Sequence, residues 1–114
     1  SFSSHTNLIN TLNNCQSKLS AFHLFIIKLN LRKIKITRDQ FIKKLFNLGI
    51  VTQVHYIPIF YFPYYKKKFK KKYFNNAIKF FNSCMSIPIF YGMTETEISY
   101  VSKQIKRIIQ KYKK

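Results

Sequence analysis

Acidic residues are nearly missing from this chain: three Asp and Glu stand against 21 Lys and Arg in 114 residues, a formal net charge of +18. Asp39, Glu95 and Glu97 all lie just inside predicted helix starts, where negative charge stabilises the helix end. A paired-carboxylate acid/base mechanism is therefore not expected, and a Ser or Cys nucleophile would lack the carboxylate that orients its histidine. Glycine occurs only at Gly49 and Gly92, which excludes a P-loop and a dinucleotide fingerprint, both of which need clustered glycines beside phosphate.

Cysteine is scarce too. Cys15 and Cys84 form no C-x-x-C unit and suggest neither a disulfide framework nor a zinc knuckle. With His5, His23 and His55 they match no recurrent zinc-ligand spacing, so no metal is expected. Idle thiols suit a reducing compartment, and a cytoplasmic protein is the expectation. No long hydrophobic run is present: the longest, Ala21 to Ile27, includes His23 and stops at Lys28, short of the roughly 18 residues a membrane span needs. No signal-peptide pattern is visible, and Ser1 stands where an initiator Met is expected, so the chain is read as beginning partway through a longer protein.

What is present is apolar and aromatic. Hydrophobic residues make up 46% and aromatic residues 18% of the chain, enough for one real core in one domain, and too much for disorder. The basic excess has two readings. Ile, Lys, Asn, Phe and Tyr, all with A/T-rich codons, supply 63 of 114 residues, so codon bias alone inflates Lys. Alternatively, Lys66 to Lys72, interleaved with Phe62, Tyr64, Tyr65, Phe69, Tyr73 and Phe74, offers charge and stacking faces to single-stranded nucleic acid. A small basic RNA-binding module is thus the alternative function.

Leu8, Leu12, Cys15 and Leu19 share one stripe if residues 1–20 are helical. Residues 21–29 read as a strand buried on both faces, with His23 a core histidine. Thr37-Arg-Asp-Gln40 is a capping box that opens a helix with Phe41, Ile42, Leu45, Phe46 and Leu48 inward, and Gly49 ends it. Ile50 to Tyr56 follows as a strand, and the Pro-broken stretch Ile57 to Tyr65 as a buried, shaped loop. Phe74, Ala77, Ile78 and Phe81 mark a short helix, and Ser86 to Phe90 is extended. Thr94-Glu-Thr-Glu97 is a second capping box, opening a helix with Ile98, Val101, Ile105, Ile108, Ile109 and Tyr112 inward. The expected fold is α/β (α+β), a few-stranded sheet carrying three or four helices. His55 ends a predicted strand before the Pro-constrained loop, the kind of place where ligands sit in α/β sheets.

From residue 20 the chain carries, in order, Ser20-Ala-Phe-His-Leu-Phe25, Arg38-Asp-Gln-Phe-Ile, Leu48-Gly-Ile50, Val54-His-Tyr-Ile-Pro58, Pro63-Tyr-Tyr65, Ser86-Ile-Pro-Ile89 and Gly92-Met-Thr-Glu-Thr-Glu97. This series resembles the C-terminal end of the DegT/DnrJ/StrS sugar aminotransferases, and is most similar to members that aminate UDP-linked 4-keto sugars, including those of pseudaminic acid synthesis. Residues 20–114 are then the small C-terminal domain of a fold-type-I enzyme, and residues 1–19 a poorly matched N-terminal segment. The resemblance implies a homodimeric enzyme dependent on pyridoxal phosphate (PLP), moving an amino group from an amino acid, with glutamate as the expected donor, to a nucleotide-linked keto sugar. It also implies that the Schiff-base lysine and most cofactor contacts lie in a large domain missing from this chain. None of the 18 lysines here sits in a matching motif, and the fragment is expected to be inactive alone. By the same resemblance His55, Tyr56, Ile57 and Pro58 are the substrate contacts, and Phe60 stands where many members have a second His.

Overall fold

A computed structural model describes residues 7–11 and 23–114. Three strands, β1 (Ile9–Thr11), β2 (Phe25–Leu29) and β3 (Cys84–Ile87), form one antiparallel sheet in the order β1-β2-β3. Among the described residues four α-helices accompany it: α1 (Arg38–Phe46), α2 (Pro63–Lys66), α3 (Asn75–Ser83) and α4 (Glu95–Tyr112). The α+β expectation holds.

The register explains which side carries the core. Ile9 pairs with Leu29 and Ile27 with Met85, so these four side chains share one face of the pleat, and all are buried. Phe41 and Leu45 of α1 and Val101, Ile105, Ile108 and Ile109 of α4 complete that core. Burial of each such side chain contributes about 1.5–3 kcal/mol. Between α1 and β3, Ile50 joins the same cluster.

Both capping boxes form. Thr37 Oγ1 accepts from the Gln40 amide at 3.2 Å while Gln40 Oε1 accepts from the Thr37 amide at 3.0 Å. Thr94 and Glu97 repeat the exchange at 3.3 and 2.8 Å. Gly49 takes φ +75°, open to glycine without strain, which lets the Ile50 amide reach back to the Leu45 carbonyl at 3.0 Å and close α1. The far end of α4 is stitched to the segment after β2: Ile34 bridges Lys113, and the Lys35 amide donates to the Tyr112 carbonyl at 2.7 Å. The Lys44 ammonium over the Tyr112 ring, 4.7 Å from its centroid, adds to this seam and holds the phenol below its ordinary pKa.

Several sequence expectations are corrected. Residues 9–11 are a strand, so the helical stripe fails at its start, and Leu12, Cys15 and Leu19 lie outside the described residues. β2 is buried alternately, with Lys28 exposed, because an antiparallel strand between two neighbours meets the helical layer on one face. Residues 50–56 do not form a strand. They run beside β3 but bridge it once, Gln53 to Ser86, since β3 is only four residues long and Pro58 lacks the donor to continue a ladder. Residues 57–65 are not a buried loop: they form a 3-10 turn (Ile59–Tyr61) and α2, and only Phe60 is buried. Ala77, Ile98 and Phe46 are exposed, not inward, because the sheet is too narrow to cover the whole apolar arc of each helix.

Candidate functional site

The chain between α1 and the first 3-10 turn carries His55 to the open edge of β3. Reciprocal backbone bonds between Gln53 and Ser86, at 3.1 and 2.7 Å, clamp the segment there. Two residues later the half-buried His55 imidazole places Nδ1 2.9 Å from Ser86 Oγ, and Tyr56 meets the ring edge-on at 4.9 Å. The His55–Tyr56 peptide is cis. Ser86 itself is buried, held in the sheet by Ile26 on one side and Gln53 on the other. The hydroxyl is therefore a fixed partner that sets the plane of the imidazole.

A small cavity of about 210 Å³ opens beside this pair. His23, Gln53, His55 and Ser86 supply its polar groups, with Ile89 and Phe90 on its apolar side. Of the four residues singled out by resemblance, His55 lines the cavity. Tyr56 and Ile57 are next to it along the chain and exposed, at 77% and 56%, and Pro58 is half-buried, its carbonyl accepting from the Tyr61 amide at 2.9 Å. None of these three lines the cavity.

Sequence reasoning missed His23 and Gln53. His23 was expected in the core, yet it is exposed, in the bend that precedes β2, and faces the same cavity as His55. No spacing could signal this, because the cavity is assembled from chain positions 23, 53, 55 and 86–90. Phe60, where a second imidazole was noted as wanting, is buried and stacked on Phe74 at 4.7 Å, so it serves packing.

The basic run takes its own shape. Lys68 donates to the Tyr64 hydroxyl at 2.8 Å and lies over its ring, and Lys72 lies over Tyr73. Cys84 is buried, and desolvation pushes its thiol above the ordinary value. Among the described residues no group of three His, Cys, Asp or Glu is placed to hold a metal, and no helix is long and apolar enough to cross a membrane.

Comparison with known proteins decides the family. The model of the DegT/DnrJ/EryC1/StrS aminotransferases matches residues 3–106. This chain belongs to that family. The spore coat polysaccharide biosynthesis protein SpsC of Bacillus subtilis is 30% identical over 95 residues, covering 79% of this chain and 24% of SpsC. A UDP-4-amino-4,6-dideoxy-N-acetyl-beta-L-altrosamine transaminase of Campylobacter jejuni is 31% identical over 97 residues, 85% of this chain and 26% of the transaminase. The fold also matches Spr1654 of Streptococcus pneumoniae, assigned as a sugar aminotransferase and solved in its PLP form, with a TM-score of 0.81 over 96% of this chain and 29% of that one, at 24% identity. The chain thus spans about a quarter of the length of these relatives.

Family members are PLP-dependent aminotransferases, and the cavity beside His55 does not fit the cofactor. The cavity is lined by no lysine and no carboxylate, so it offers neither a Schiff-base amine nor a partner for the pyridine nitrogen. Asp39 pairs with Arg38 at 2.7 Å, and Glu97 is engaged by Thr94. No step through the cofactor is assigned to this chain.

Proposed function

We propose that residues 20–114 are the small C-terminal domain of a PLP-dependent aminotransferase that moves an amino group from an amino acid, glutamate, to a nucleotide-linked keto sugar. The domain contributes His55, Tyr56, Ile57 and Pro58 to the wall of the substrate pocket. The cofactor chemistry resides in a large domain, and the whole enzyme works as a cytoplasmic homodimer. The chain alone is inactive.

The observation that carries this reading is His55 held by the buried Ser86, with Tyr56 and Ile57 exposed beside it. An imidazole whose Nδ1 is engaged has its ring held in place and keeps Nε2 for a second hydrogen bond, which suits binding of a sugar nucleotide with little entropy left to lose. Phe90 is exposed at the same cavity, and Ile57, Ile59, Phe62 and Tyr91 are exposed on the segments that follow His55 and Phe90 in the chain. Apolar surface of this extent is what a covering domain would bury. The matched transaminase of Campylobacter jejuni, by its name, handles a UDP-linked amino sugar, and the same substrate class is proposed here.

The test joins this chain to the large domain of a relative and assays a UDP-4-keto sugar. His55→Ala is expected to raise KM by about ten-fold, as loss of a hydrogen bond to a charged or strongly polar group implies, with little change in Tm. A large loss of Tm with KM unchanged would make His55 a packing residue and reject the reading.

A further inference from the structure

We infer that the cavity between His23 and His55 takes the hexose ring of the sugar nucleotide, with His23, Gln53 and Phe90 as ring contacts beside His55. This rests on the reading of His55 as a substrate contact and says which part of the substrate it meets. Charge argues first. In a chain with 21 Lys and Arg, none lines this cavity among the described residues, nor does any acid. A diphosphate binds where cations gather, so a cavity without them in so basic a chain is built for a neutral group.

Size and lining agree. About 210 Å³ is below the roughly 300–1,000 Å³ of sites that enclose a whole drug-sized ligand, and it suits a single ring. A pyranose ring presents hydroxyls at its edge and C–H groups on its faces. Two imidazoles and a carboxamide can donate to and accept from the hydroxyls. Phe90, 55% exposed at the rim, supplies an apolar face for the C–H side. Ser86 does not compete for the ring, because its hydroxyl is within hydrogen-bond distance of His55 Nδ1.

The experiment is an NMR titration of the full 114-residue chain with UDP-N-acetylglucosamine and, separately, with UDP. The expected result is that side-chain signals of His23, Gln53 and Phe90 move together with His55 when the sugar is attached, and stay in place with UDP alone. His23→Ala and Phe90→Ala, both at exposed positions, should each weaken binding of the sugar nucleotide about five-fold, the worth of one neutral contact. Equal shifts of these signals with UDP alone would overturn the inference in favour of a nucleotide site. Movement of His55 while His23, Gln53 and Phe90 stay silent would overturn the inference and leave His55 a substrate contact. If His55 also stays silent, the substrate reading falls with it.

Discussion

Ser86 Oγ lies 2.9 Å from His55 Nδ1 across 31 residues of sequence, a bond that joins the edge of the sheet to the turn leading into the aromatic stretch. Removing the hydroxyl frees the imidazole to rotate. Ser86→Ala in the chain completed by a large domain should raise KM for the nucleotide sugar several-fold and leave Tm within the shift of about 1 kcal/mol expected for one neutral hydrogen bond. Steady-state kinetics beside a thermal melt check both halves.

Arg38 ties α1 to α3. Its guanidinium donates to the Phe81 carbonyl and to Asp39 Oδ1, and lies over the Phe81 ring at 4.7 Å, while 9% exposed. A lysine cannot reproduce the planar fork that makes these contacts at once. Arg38→Lys should destabilise the fold by about 1.5–3 kcal/mol, since a hydrogen bond to a charged group is lost at a buried site. Urea unfolding, read as a change in midpoint without a change in slope, measures it.

Glu97 titrates below the ordinary carboxylate value of 4.5, chiefly because the Thr94 backbone amide donates to it, and then because the Thr94 hydroxyl does. A carboxyl lowered on folding adds stability that is fully present above its unfolded pKa and disappears as pH falls through its folded value. Glu97→Ala should therefore lower Tm near pH 7. The gap from the unaltered chain should narrow as pH falls below 4.5, and melts across that range would show it.

Local signals were legible because their physics is local. Thr37 with Gln40, and Thr94 with Glu97, satisfy orphan amides at helix starts through contacts three residues apart, so type and spacing suffice to place α1 and α4. Gly49 was legible as the stop of α1 for the same reason, and it has positive φ. Residues 50–56 were misread because the apolar pattern of a strand says nothing of whether a neighbour is long enough to pair with it. The aromatic stretch was misread as buried because an apolar side chain reports a preference for cover and not what covers it.

By itself the sequence determined the starts of α1 and α4, the stop of α1, the α+β class and, through an ordered series of short motifs, the aminotransferase family. Only the tertiary structure decided that His23 leaves the core, that Ser86 orients His55, and that a cavity without Lys, Arg, Asp or Glu forms among residues 23, 53, 55 and 90. The reason is range. Caps and turns arise from interactions within a few residues, whereas a cavity exists only once β2, β3 and the segment after α1 are packed, and no local pattern encodes which side chains will meet there.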